Sequence, residues 1–392
     1  MKSDFSSFWR SACEFSQKAR SAWQMTVAEA RQQATRSVKR MHSAITKATS
    51  YRAENARKGD VMANAEMCFT MLGPRGVGKT SMLVSMYDTI QDELAGAELQ
   101  LGEDDRTGAI LMERLGDLKR AVDETVCSVD EDGGISGDAE LREFFFTLGR
   151  TGKSPTMTIK FFDFPGGWLH ANGNADGLRK VGDICKRATA ILIPVDAAPL
   201  MEKQGEHNDR VNRPKQICDL IKNAFQDLEE PRLVILAPIR CEKYVQKADD
   251  ACRLLETVTE SYGRLLKFLA TPSLRDKVAV VVTPVQTCGC LVFSRFEGGD
   301  GGLKLRFRKT VPGAKYHPAD CEQPMRYLLK FFVNLHRKRQ EWGIFEVFRK
   351  ALEAVFGEWD PEMIEAGKQF ARGLKRDGNG FKILQGEELI TG

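Results

Sequence analysis

The segment Gly73-Pro-Arg-Gly-Val-Gly78-Lys79-Thr80 constrains this chain more than any other stretch of it. It follows a short apolar run, Met67 to Leu72, and precedes a helical pattern of Met82, Leu83, Met86, Tyr87 and Ile90. A strand, a glycine turn and an amphipathic helix in that order point to an α/β layout. In such a turn the glycines let successive backbone N–H groups face inward as an anion nest. The start of the helix adds the positive end of its dipole. Lys79 and Thr80 supply a cation and a hydroxyl able to ligate a hard metal ion. The competing reading is a glycine-rich turn that binds nothing.

Further along, apolar runs alternate with helical patterns. Glu143 to Leu148 and Thr156 to Phe162, joined by Gly149 to Pro155, read as an antiparallel hairpin. Ala188 to Val195, Leu233 to Ile239 and Val278 to Pro284 are near-continuous apolar runs. Such runs belong to strands covered on both faces, as in a parallel sheet. Helices are expected over Arg213 to Leu228, Asp249 to Leu269 and about Glu322 to Gln340. The acidic stretch from Gln91 to Gly137 reads as part helix and part loop, and the stretch from Glu297 to Lys309 as a glycine-rich basic loop. The predicted fold class is a three-layer α/β fold with a mainly parallel sheet, flanked by N-terminal and C-terminal helices. Its expected boundaries are a basic amphipathic helical arm over 1–64, the α/β domain over 65–340 and a C-terminal helical tail over 341–392. In the tail, Asp360-Pro361 makes a good helix start.

Charge separates the arm from the body. Met1 to Lys58 holds twelve Lys and Arg against four acids, a surplus of eight in a chain of net charge +4, so the remainder carries −4. Phe5, Phe8, Trp9, Ala12, Phe15, Ala19 and Trp23 recur at helical steps among basic residues. That stripe fits packing on the body or on a partner helix, and it also fits an anionic membrane surface. Nucleic acid is the least favoured partner. The ten cysteines are scattered without a CxxC pair, which argues against a zinc site or a disulfide framework. No run approaches the ~20 apolar residues of a membrane span. The expected location is cytoplasmic, with peripheral membrane contact through the arm left open.

A second motif lies at the end of the hairpin: Phe161-Phe-Asp163-Phe-Pro-Gly166. An aspartate at a strand tip with glycine three residues on fits D-x-x-G, in which Asp163 holds Mg²⁺ through a water and the Gly166 N–H senses a terminal phosphate. The alternative is a capping aspartate at a strand end.

Together the glycine loop, the hairpin ending in Asp163 and the strand ending in Val195-Asp196-Ala197 resemble the GTPase branch of the P-loop class, whose Ras-like and translation-factor G domains share that order. The fuller pattern, LGPRGVGKTSML, DFPGG, ILIPVDA, PIRCEKY, TPVQTCG and CEQPMRYLLKFF, is similar to bacterial double-GTPase families of multi-gene conflict and defence systems. The resemblance covers roughly residues 65 to 340. It implies a P-loop NTPase G domain that binds Mg²⁺ with GTP or GDP and acts as a slow, partner-activated molecular switch. Gly73, Arg75, Gly76, Val77, Gly78, Lys79, Thr80 and Ser81 would wrap the phosphates. Lys79 would bridge the β- and γ-phosphates, and Thr80 and Asp163 would serve the metal.

The chain also departs from that pattern. Guanine is normally read by N/T-K-x-D, whereas this chain has Ile239-Arg240-Cys241-Glu242. Arg240 can replace the lysine and Glu242 the aspartate, with Thr287 near the base, so GTP is favoured while ATP, or either nucleotide, stays open. Gly167 stands where many Ras-like proteins carry a glutamine and translation factors a histidine, and His170 is the candidate for orienting water, against the alternative of an incidental histidine. The threonine that would close the metal site is sought at Thr107 or Thr125. Slow hydrolysis and a protein partner acting as activator or effector follow. An ATP-driven or phosphotransfer enzyme and a non-hydrolysing scaffold are the alternatives, and the oligomeric state is not specified.

Overall fold

The computed structural model describes residues 67–123, 126–130, 141–169, 175–299, 302–338 and 361–391. The arm expected over 1–64 lies outside them, as do His170, Thr125 and residues 341–360. In the central strands the side chains alternate between two cores. In β6 (Ala190–Asp196), Ala190 and Leu192 join one core and Ile191, Ile193 and Val195 the other. In β7 (Arg232–Ile239), Leu233, Ile235 and Ala237 face the first core and Val234 and Leu236 the second. In β8 (Val278–Val282) the same division places Ala279 and Val281 against the other three valines. A strand buried on both faces has no polar side, which is why these runs read as uninterrupted apolar text.

The first core is covered by α1 (Lys79–Ala95), α2 (Asp105–Asp123) and α9 (Gln323–Lys338). The second is covered by α3 (Ala175–Arg187), α6 (Pro214–Ala224), α7 (Ala248–Ser261) and α8 (Gly263–Leu269). The fold is therefore layered α/β, with the sheet between two helical layers. Two short helices, α4 (Ala197–Met201) and α5 (Asn208–Val211), link β6 to α6.

Five strands run parallel in the middle of the large sheet. Their order is β5 (Met157–Asp163), β1 (Met67–Met71), β6, β7 and β8. On one side β4 (Arg142–Arg150) pairs antiparallel with β5, and β2 (Leu99–Glu103) pairs antiparallel with β4. The chain leaves β1 toward that side first and then returns to build β6, β7 and β8 on the other. The order reverses at β1, so a crevice opens at the carboxyl ends of β1, β5 and β6, where ligands bind in open α/β sheets.

Several expectations are corrected. The tail carries strands as well as helices. α10 (Pro361–Ala371) and α11 (Glu387–Ile390) flank β11 (Asp377–Gly378) and β12 (Phe381–Gln385), and β12 pairs antiparallel with β8. That pairing satisfies the backbone edge that β8 would otherwise present. The basic loop is a hairpin, β9 (Leu291–Gly299) and β10 (Gly302–Lys309). Leu303, Leu305 and Phe307 are buried, and Lys304, Arg306 and Arg308 alternate with them, a strand period. β3 (Val126–Asp130) joins β10 to complete a second, three-stranded sheet. The acidic stretch thus holds two strands and a long helix. The helix expected from Asp249 to Leu269 breaks at Tyr262, next to Gly263, a residue that weakens helix interiors.

The tail is tied to α9 by a cation–π contact and by hydrogen bonds from Gln323 and Tyr327 to the carbonyls of Gly373 and Lys375. Phe370 is 1 % exposed, and its ring centre lies 4.6 Å from the Arg326 guanidinium carbon. Arg326 also donates to the Phe370 carbonyl and to Glu93 on α1. Phe370→Ala is expected to cost about 3–5 kcal/mol in urea unfolding of the full chain. A loss below about 1 kcal/mol, far under that range, would mark the tail as a separable appendage.

Candidate functional site

The glycine loop leaves β1 and enters α1 at the sheet's carboxyl edge. Gly78 sits at φ +104°, and a Cβ there would come within 2.6 Å of Ile239 Cδ1. Only glycine serves this position, because the left-handed backbone and the close neighbour both exclude a side chain. Gly76 also has positive φ, at +78°. Lys79 is buried and folds back on its own loop, donating to the carbonyls of Gly73 at 2.9 Å and Pro74 at 3.1 Å. Burial pulls the Lys79 ammonium below the usual lysine range, and the Asp163 charge opposes that shift. Val77 is buried, whereas Arg75 is exposed.

Asp163 ends β5 beside this loop. The Thr80 hydroxyl donates to its Oδ2 at 3.1 Å, which brings together two residues eighty-three apart in sequence. Gly166, three residues on, lies against the loop itself. A Cβ on Gly166 would stand 2.0 Å from the Arg75 nitrogen and 2.3 Å from its Cα. The two glycine-bearing motifs are therefore in backbone contact. The short 3₁₀ turn Gly166–Leu169 continues from there and is held where Gln216 donates to the Leu169 carbonyl.

The third group sits past β6, β7 and β8. Asp196 is fully buried, accepts from the Ala198 N–H at 3.2 Å and caps α4. Asn212 clamps the Asp196 backbone from both sides, at 2.8 and 3.0 Å. Arg240, at φ +52°, donates to the Asp196 carboxylate and to the Gly76 carbonyl at 3.0 Å, so it lies along the glycine loop. Glu242 is buried, and its Oε1 accepts from the N–H groups of Cys288 at 3.0 Å and Gly289 at 3.1 Å. Burial pushes the carboxyls of Asp196 and Glu242 up; Arg240 opposes this for the first, and the Cys288 N–H foremost for the second.

A cavity of about 60 Å³ opens here, and Ser81, Leu118, Arg240, Glu242, Thr287 and Phe307 contribute to its wall. The Phe307 ring centre is 5.8 Å from the Arg240 guanidinium carbon. Thr287 is buried, and its carbonyl accepts from the Ser85 hydroxyl at 2.7 Å.

The described site residues named from sequence thus gather at one edge of the sheet. His170 and Thr125 lie outside the described residues. Thr107 is committed elsewhere: its hydroxyl accepts from the Phe145 N–H at 3.1 Å, and its own N–H donates to Asp104, the cap of α2. Leu118, Phe307 and Asn212 were not singled out from sequence. The alternation of Leu303 to Lys309 was the available signal for Phe307, while no local pattern marks Leu118 or Asn212.

Among the described residues no three His, Cys, Asp or Glu side chains group as a metal site. Thr80 and Asp163 bring two oxygens together at 3.1 Å, a pair that could hold Mg²⁺, an ion that keeps several waters and takes ligands from phosphates. The nest, the lysine and the helix start can hold an anion. No family model matches this chain, and no curated protein matches it either.

Glu242 carries a stability signature. Its folded carboxyl pKa is raised above the unfolded value, so the ionised form opposes folding at neutral and alkaline pH. Glu242→Gln keeps a carbonyl for the two N–H groups and removes the charge. The variant is expected to melt at or above the wild-type temperature at pH 8. That advantage should shrink as pH falls below the folded Glu242 pKa and be gone below the lower unfolded carboxyl pKa, and a variant less stable at pH 8 would contradict the assignment.

Proposed function

We propose that the chain is a Mg²⁺-dependent nucleotide switch of the GTPase kind, which hydrolyses GTP slowly and works with a protein partner. The observation that carries this reading is the convergence of the glycine loop, Lys79, the Thr80–Asp163 pair and Gly166 at the point where strand order reverses. The parallel core with the antiparallel β4–β5 hairpin at its side also accords with the resemblance to G domains.

In this reading the loop N–H groups and Lys79 take the phosphates, with Lys79 exchanging the carbonyls of Gly73 and Pro74 for phosphate oxygens. Thr80 would ligate Mg²⁺, and Asp163 would hold it through a water. The metal, when bound, neutralises charge on the phosphate oxygens. Gly166 reports the terminal phosphate because its backbone already touches the loop that would hold it. Arg240 lies along one face of the base and Phe307 along the other, so the wall opens slightly to admit it. Glu242 accepts from the base edge. Gly167 has no side chain to orient a water, which makes intrinsic turnover slow. The partner acts as activator or effector, and a place in a bacterial multi-gene defence system is what the resemblance implies.

One observation favours a second reading, in which ATP or either nucleotide is used. Glu242 Oε1 already accepts from two backbone N–H groups, which reduces its capacity to read guanine.

Thermal unfolding of the full chain with Mg²⁺ and either GTP or ATP, beside Lys79→Ala, tests the proposal. Nucleotide at about a hundred times its dissociation constant should add about 2.7 kcal/mol of stability. A GTP shift lost in the variant supports the switch, and a shift with ATP alone moves the assignment to the second reading. No shift with either, in protein shown by chromatography of its denatured supernatant to carry no nucleotide, overturns both.

A further inference from the structure

Ser85 and Tyr316 stand behind the cavity wall, and the nucleotide reading gives neither a role. Ser85 lies on α1 four residues after Ser81, so the two share a helix face. A buried helical hydroxyl can be satisfied by the carbonyl one turn back, as Thr89 is by the Ser85 carbonyl at 3.0 Å. Ser85 is fully buried and reaches out instead, donating to the Thr287 carbonyl at 2.7 Å. The Tyr316 hydroxyl donates in turn to Ser85 Oγ at 3.2 Å. Tyr316 belongs to the connector between β10 and α9, and Lys119 Nζ of α2 lies 5.2 Å from its ring centre. Leu118, the neighbour of Lys119, is part of the cavity wall, as are Thr287 and Cys288.

The loop that Ser85 reaches, 286–290, is held at every residue. Gln286 and Ala319 exchange backbone hydrogen bonds at 2.9 and 3.0 Å. The Cys288 carbonyl accepts from the His317 N–H at 3.1 Å, and the Cys290 carbonyl from the Thr310 N–H at 2.9 Å. Glu242 takes the N–H groups of Cys288 and Gly289. Gly289 has φ +71°, and a Cβ there would stand 1.8 Å from the His317 carbonyl oxygen, so only glycine lets the two segments lie this close. The Ser85 bond ties this loop to α1, the helix that starts at Lys79 and Thr80. Six helical residues rise about 9 Å. One rigid element therefore sets the separation between the anion nest at its start and the Thr287 wall of the cavity.

We propose that Ser85 and Tyr316 are positioning residues for nucleoside recognition. Their hydrogen-bond chain holds Thr287 and Cys288 at a fixed distance from the glycine loop, so that the cavity meets the base while the phosphates lie on the nest. This rests on the nucleotide reading of the site. It adds that two side chains away from the phosphates govern how strongly the nucleoside part contributes. Affinity for a nucleoside triphosphate depends on the pair, whereas affinity for a bare chain of three phosphates does not. The competing role is packing alone, in which the two hydroxyls only satisfy one another inside the fold.

The test is isothermal titration of the full chain, with Mg²⁺, for wild type, Ser85→Ala, Tyr316→Phe and the double variant. The ligands are the imidotriphosphate analogues of GTP and ATP, and inorganic tripolyphosphate. Ser85→Ala should weaken the nucleotide analogue about three- to tenfold, the range for one hydrogen bond, and tripolyphosphate less than about twofold. Tyr316→Phe keeps the ring beside Lys119 and the bond from Ser85 to Thr287, so it carries the test if Ser85→Ala fails to fold. It should weaken the nucleotide analogue about two- to threefold. The double variant should match Ser85→Ala, because Tyr316 acts through Ser85. Equal losses for nucleotide and tripolyphosphate, or unchanged nucleotide affinity in the variants, would overturn the positioning role and leave the nucleotide reading standing. Wild-type protein that binds neither nucleotide analogue would overturn that reading, and the positioning role with it.

Discussion

Two-sided burial of the parallel strands is the constraint on which the rest of this molecule depends. Once β6, β7 and β8 are covered on both faces, no polar group can leave the sheet except at a strand end. The chemistry-bearing residues obey that rule. Asp163 and Asp196 are the last residues of β5 and β6, Arg240 follows the last residue of β7, and Thr287 lies just past β8. The glycine loop follows β1 in the same way. All belong to parallel strands, so their ends meet at one edge, and reversal of strand order at β1 keeps that edge open.

Charges held at such an edge are partly buried, and each one described here is given a partner. Lys79 uses backbone carbonyls, Asp196 uses Arg240 and the Ala198 N–H, and Glu242 uses two N–H groups of the next loop. Breaking such arrangements is costly, because the partner left behind is a buried unpaired group. The consequence is rigidity: Arg240 joins β7 to the glycine loop through Gly76, and Glu242 joins it to the segment after β8.

Segments beyond the parallel core shape the cavity. α2 lies between β2 and β3, and the β9–β10 hairpin lies between β8 and α9, yet β3 and β10 pair to form one sheet. Leu118 from the first and Phe307 from the second therefore meet over Arg240 and Glu242. The tail closes the opposite side of the sheet, where β12 satisfies the edge of β8. Long-range pairing, not local preference, places these pieces.

Much of this was legible in the sequence. The apolar runs and helical spacings announced the layered α/β class, and the order of the motifs located the glycine loop, Asp163, Arg240 and Glu242. Local chemistry suffices for these, because strand burial and glycine turns leave their pattern in neighbouring residues. Other features were decided by tertiary structure. The tail strand Phe381 to Gln385 is a strand because β8 offers it an edge, and the basic stretch to Lys309 is a hairpin because its alternate residues find a core. Thr107 is drawn to the Phe145 N–H, which β2 leaves uncovered, and not to the site. Sequence by itself determined which segments must be buried and which loop could hold an anion. The tertiary structure decided which distant side chains share that loop's surroundings, because a hydrogen bond such as Thr80 to Asp163 depends on strand order and register, quantities that no local stretch of residues contains.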